Sequence, residues 1–161
     1  MRTVYRGLAF LVALEVALQA MFIVYGDAGL GLWIENDGGV VDKATFETAF
    51  ESGEAPFPEF QAFILHGMNG MMVIPALALL LVISSFFAKV PRGVAFAFGV
   101  LALVILQVTL GLMGHSIAAL GALHGLNALA LFSTAAWTGL RLARVAPKRA
   151  TESAPAERVA A

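Results

Sequence analysis

Two of the three histidines in this 161-residue chain stand in the same six-residue frame. Leu65-His66-Gly67-Met68-Asn69-Gly70 recurs as Leu123-His124-Gly125-Leu126-Asn127-Ala128. Each frame lies inside a long apolar stretch, where a polar side chain is costly and needs a partner or a purpose. A neutral imidazole can offer one nitrogen to a metal while the other donates a hydrogen bond that fixes its tautomer. Two imidazoles alone are too few for a bare metal ion, which wants more ligands. They are enough for the two axial positions of a haem iron. Cysteine is absent, which excludes disulfides, thiolate metal sites, thiol redox chemistry and covalently attached c-type haem. The bland alternative is that histidine and asparagine merely bridge helices, a bond of about 1 kcal/mol in bilayers.

The elements that must position these residues are apolar helices. Some 60% of residues are hydrophobic and 13% charged, with a mean hydropathy of +0.85, far from the balance of a soluble domain. Four stretches, residues 7–30, 60–88, 93–113 and 117–140, each reach the roughly 20 residues that cross a hydrocarbon core. The expected fold is all-α: a polytopic membrane protein with an antiparallel four-helix transmembrane bundle over residues 1–145. The tail, 146–161, is polar and rich in Ala, Pro and Glu, and reads as disordered and cytoplasmic.

Charge sets the expected orientation. Nine of ten Lys and Arg lie at the amino terminus (Arg2, Arg6), between the second and third spans (Lys89, Arg92) or beyond the fourth (Arg141, Arg144, Lys148, Arg149, Arg158). The segment 31–59 and its approach carry eight acids against the single Lys43. The positive-inside rule then puts both termini in the cytoplasm of a cell membrane and the long loop outside. Within that loop Asp42 reads as the N-cap of a short helix ending near Gly53, with Phe46 and Phe50 on one side, lying over the bundle mouth. Trp33 and Trp137 fall near span ends, where indoles favour the interface. No nucleic-acid partner is expected; lipid is the immediate one.

The recurrence extends beyond the histidines. Leu18-Gln19 is followed seven residues later by Gly26, and Leu106-Gln107 seven later by Gly114. The chain therefore reads as a duplicated helical hairpin, its halves related by a two-fold axis along the membrane normal. At 1.5 Å per residue both histidines sit roughly 9 to 10 Å below the outer surface. In an up-down bundle the second and fourth spans lie on a diagonal of about 11 to 14 Å. Gly67, Gly70 and Gly125, with Ala128, are then small residues that let a porphyrin plane approach the backbone. Asn69 and Asn127, one turn deeper, either fix an imidazole tautomer or bond across to Gln19 and Gln107, the second role being expected for at least one pair. Glu15 is the only acid deep inside a span, Asp27 lying near the end of its own, and is open to a role as proton relay or as a hydrogen-bond partner across the bundle. His115 has no repeat partner and reads as an exposed turn residue.

On these residues the chain resembles one half of a haem A synthase, a family built from two fused four-helix halves, each with one histidine near the outer end of its second and fourth helices. The resemblance covers residues 1 to about 145 and implies His66 and His124 as haem ligands. The chain is also similar to small four-span bacterial membrane proteins with the same Leu-His-x-x-Asn motif. Phe63 stands where the synthase pattern has a glutamate three residues before the first histidine, and Gly67 where an arginine follows it. Glu59 is the nearest acid. With a single ligand pair as well, oxidation of haem by this chain alone is not expected.

The expectation is thus a b-type cytochrome module holding one haem b between His66 and His124 near the extracytoplasmic face, for electron transfer with a quinol, an extracytoplasmic redox protein or a larger respiratory complex. Two rivals stand beside it. One is a haem-free accessory subunit of a larger membrane complex. The other is a haem A synthase-like oxidoreductase, for which a homodimer is one way to recreate two haem sites, and which requires an essential acid such as Glu59.

Overall fold

The computed structural model describes residues 1–144, with side chains to 141, so the tail expectation for 146–161 lies outside the described residues. Helix α1 covers Arg2–Asp37 and α2 Lys43–Ser52; a 3-10 turn at Pro58–Phe60 leads into α3, Gln61–Met68. A π-helical turn at Asn69–Val73 joins α3 to α4, Ile74–Ala88, and α5 (Gly93–Gly114) and α6 (Ala118–Arg144) follow. No strand occurs among the described residues. Four helices, Arg2–Asp37, Pro58–Ala88, Gly93–Gly114 and Ala118–Arg141, are long and apolar enough to cross a membrane.

Helix α1 runs well past the apolar stretch 7–30, because nothing between Gly31 and Asp37 breaks it. It stops where Gly38 takes a left-handed conformation (φ 68°) and its N–H caps the Trp33 carbonyl. The short loop helix forms as its turn signals indicate. Asp42 accepts from the Thr45 amide, and Gly53 (φ 75°) ends the helix. The second span holds an interruption that its hydropathy conceals. Pro75 lacks an N–H and its ring crowds the carbonyl four residues back, and the chain answers with a wider turn in which the Ile74 N–H reaches the Asn69 carbonyl.

The four long helices pack in a ring: α1 against α3, α4 and α6, and α5 against α4 and α6. At the end bearing the amino terminus the ring is filled. Tyr5, Val12, Leu81, Val100 and Leu131 are almost wholly buried there among alanines, whose small side chains bring the backbones together. Tyr5 donates its hydroxyl to the Gly93 carbonyl at 2.9 Å. Arg2 donates to the carbonyls of Ala88 and Lys89 at 3.3 and 3.2 Å, placing a cation at the C-terminus of α4 where the helix dipole favours one.

The other end is closed differently. Phe57 and Phe60 are buried with Ala49, and Trp33, Phe46 and Phe63 pack around them. Trp33 stacks on Phe57 at 5.4 Å, and Phe60 meets Phe63 edge-on at 6.0 Å. Helix α2 is thereby held against the ends of α1 and α3. It packs over the first helix pair and contributes no residue to the cavity described below.

Candidate functional site

Between the apolar filling and the loop-bearing end, the helix ring encloses a cavity of about 550 Å³, within the range of cofactor and small-molecule pockets. Its floor is one side chain from each long helix, Val16, Ile74, Val104 and Leu131, which also belong to the apolar core. The walls come in pairs that occupy corresponding positions in the two halves of the sequence: Gln19 and Gln107, His66 and His124, Gly67 and Gly125, Gly70 and Ala128. His115, exposed in its turn, lines the mouth.

The two imidazoles meet inside this cavity with ring centroids 6.2 Å apart and planes at 60°. Each is oriented by the helix preceding it in the chain. His66 Nδ1 lies 3.2 Å from the Gln19 carbonyl and His124 Nδ1 2.9 Å from the Gln107 carbonyl. A carbonyl only accepts, so both Nδ1 atoms carry the proton and each Nε2 presents a lone pair. A glycine makes the second arrangement possible. A Cβ on Gly111 would fall 3.0 Å from His124 Cε1, so any larger residue would push the ring. By contrast a Cβ on Gly67 or Gly125 would meet nothing within 4 Å, because both face the open space of the cavity.

Asn69 and Asn127 are not among the residues that line the cavity, and their amides bond elsewhere. Asn127, 8% exposed, donates to the Leu103 carbonyl at 3.0 Å and to Gln107 Oε1 at 2.7 Å. Gln107 in turn places Nε2 3.1 Å from His124 Nε2. The donor sense of this chain is fixed from one end: a backbone carbonyl can only accept, so Asn127 presents nitrogen, Gln107 presents oxygen to it, and the Gln107 amide nitrogen donates to the imidazole. The expected bond across the bundle therefore forms in this half.

In the first half the pattern diverges. Asn69 donates to Glu15 Oε2 at 2.8 Å instead of to Gln19. Glu15 thus bonds across the bundle, the second of the two roles open to it. Gln19 Nε2 is buried with no hydrogen-bond partner among the described residues, although an orphaned buried amide is costly. His66 Nε2 likewise makes no hydrogen bond there. Leu103 stands four residues before Gln107 as Glu15 does before Gln19: the Glu15 carboxyl takes Asn69, whereas Asn127 bonds the Leu103 carbonyl and Gln107 Oε1.

Glu59 does not reach the cavity. It packs over Gly29 at the loop-bearing end, where any Cβ on the glycine would collide with it. At the mouth the halves differ again. Gly26 admits the Phe63 ring, whereas the corresponding Gly114 lies against Gly121, a Cβ there falling 3.0 Å from its Cα.

Among the described residues no group of three or more His, Asp or Glu stands close enough to hold a metal ion by itself. Two features of the cavity fit a flat macrocycle that brings its own equatorial ligands: a pair of imidazoles with centroids 6.2 Å apart and backbone-lined walls at Gly67 and Gly125. Sequence reasoning found the histidines and glycines; it missed Gly111, the Gln19 and Gln107 carbonyls and the π-turn, of which only Pro75 gave a readable sign. No protein-family model, curated protein or solved structure matches this chain.

Proposed function

We propose that the chain is a membrane-embedded b-type cytochrome module that holds one haem between His66 and His124 and serves electron transfer. The observation that carries this reading is the separation of the two rings. A metal–imidazole bond of about 2 Å, with the ring centre about 1.1 Å behind its nitrogen, sums over two ligands to roughly 6 Å. The centroids are 6.2 Å apart.

Haem would supply one-electron chemistry at iron, and two protein ligands favour electron transfer over oxygen binding. The chain's own residues supply the rest. The Gln19 and Gln107 carbonyls hold the two Nδ1 protons, which fixes each ring and raises the basicity of its Nε2. Gly67 and Gly125 leave the backbone bare where a planar group must approach. The floor of Val16, Ile74, Val104 and Leu131 keeps water from entering below.

In the same reading the bundle is antiparallel and built from a duplicated hairpin, with corresponding residues facing across the cavity. The basic residues gathered at the end remote from the acidic loop put that end in the cytoplasm of a cell membrane. The cavity then lies near the extracytoplasmic face, where a quinol, an extracytoplasmic redox protein or a larger respiratory complex would exchange electrons. A synthase-like oxidation has less support, since Glu59 is spent on Gly29.

One observation favours the haem-free accessory subunit: both His124 nitrogens are satisfied by Gln107, as in a simple helix bridge. The first half speaks against it, because a bridge would not leave the Gln19 amide orphaned. A reduced-minus-oxidised spectrum of the purified full chain tests both. The expected result is a sharp α-band of bis-imidazole haem that is lost in His66→Ala and altered in His124→Ala. A colourless protein, or a band indifferent to both substitutions, overturns the reading.

A further inference from the structure

The two halves are not equivalent toward a ligand, although their sequences correspond. His124 Nε2 is already engaged: Leu103 O, Asn127, Gln107 and His124 form a continuous hydrogen-bonded chain with every donor sense fixed from the backbone carbonyl. His66 Nε2 has no such partner, because Glu15 draws Asn69 away and leaves the Gln19 amide unpartnered. We propose, resting on the haem reading, that the two histidines are unequal toward haem: the Nε2 of His66 is free to bind it, whereas Gln107 is a latch that must release the Nε2 of His124 before that ring can bind.

The latch has a definite cost and a definite geometry. For His124 to reach iron, the Gln107 amide must turn away from Nε2 and lose one hydrogen bond inside an apolar cavity, while Asn127 keeps the Leu103 carbonyl. No such step precedes binding at His66. Glu15 is the positioning residue that breaks the symmetry, acting through Asn69.

Hemin titration of the haem-free full chain in detergent micelles, with carbon monoxide binding to the reduced form, tests this. Gln107→Met should tighten hemin binding on the order of three- to ten-fold, the worth of one membrane hydrogen bond, and should lower the fraction that binds carbon monoxide. Gln19→Met, at the corresponding position but with no bond to lose, should not tighten it. His124→Ala should retain a five-coordinate, carbon monoxide-reactive haem, while His66→Ala should lose haem. Equal losses in the two histidine variants, or equal effects of the two glutamine variants, overturn the latch while leaving the haem reading intact.

The haem-free protein gives an independent readout. Imidazole nitrogen shifts should report a hydrogen-bonded Nε2 at His124 only, and Gln107→Met should abolish the difference between the two histidines. Identical ring shifts in the wild type refute the latch whether or not hemin binds. Absence of hemin binding with the shift difference present overturns the haem reading and the latch that rests on it, leaving only the hydrogen-bonded chain at His124.

Discussion

Placing a methyl group at Gly125 or Gly67 separates the stability of the bundle from the use of its cavity. A Cβ at either position meets nothing within 4 Å, so alanine creates no clash in the protein itself. Gly→Ala inside a helix gains about 0.5–1 kcal/mol, through the backbone freedom that glycine must give up. Each variant should therefore make the haem-free bundle more stable. The same methyl projects into the cavity wall and fills space that a porphyrin face would occupy. Overpacking of that kind costs about 1–3 kcal/mol, roughly a 5- to 150-fold loss of haem affinity. The assay pairs denaturant unfolding of the haem-free protein in micelles with hemin titration of the same preparations. Opposite signs in the two measurements are expected for both variants. If alanine at both positions raises stability and leaves hemin affinity unchanged, these glycines do not serve a flat ligand, and the argument from bare walls fails.

Gly111→Ala should behave otherwise. Its Cβ would lie 3.1 Å from His124 Nδ1, and the ring must yield against a 2.9 Å bond to the Gln107 carbonyl. The strained bond, worth about 1 kcal/mol, offsets the helix gain, so stability stays level while the His124 nitrogen shifts move; an unmoved spectrum refutes the contact. Tyr5→Phe removes a buried donor to Gly93 and should cost about 1 kcal/mol in unfolding measurements, with no change at the cavity. Two bonds from Thr45 hold the Asp42 carboxyl below its ordinary value of 3.8. A depressed carboxylate supports its helix above that value and loses hold as pH falls through the lower folded one, so α2 amide exchange should speed up in that acid range. Asp42→Asn keeps the cap and should remove the pH dependence; equal acid lability in both proteins excludes Asp42 as the cause.

Where sequence and structure agree, the information is local or periodic. The four apolar helices follow from hydropathy and length, since a chain in hydrocarbon must satisfy its backbone within each segment. The bounds of α2 follow from Asp42 and Gly53, because capping depends on neighbours two or three residues away. The histidines and their flanking glycines were legible as candidates because a repeated polar frame in an apolar stretch is conspicuous, and the cavity gathers them. The asparagines were equally conspicuous and yet lie off the cavity wall, since spacing along one helix says nothing about what the facing helix offers.

Sequence by itself determined, then, that polar groups recur at matching depth in apolar helices, for that pattern is written in order and composition alone. Tertiary structure decided which partners those groups find. It set the 6.2 Å between the rings, gave each Nδ1 a carbonyl from the preceding long helix, and gave the two halves different hydrogen-bond networks. The physical reason is reach: a side-chain hydrogen bond is made or lost within about an ångström. That tolerance is set by how helix faces distant in the chain pack together, a quantity no residue carries alone.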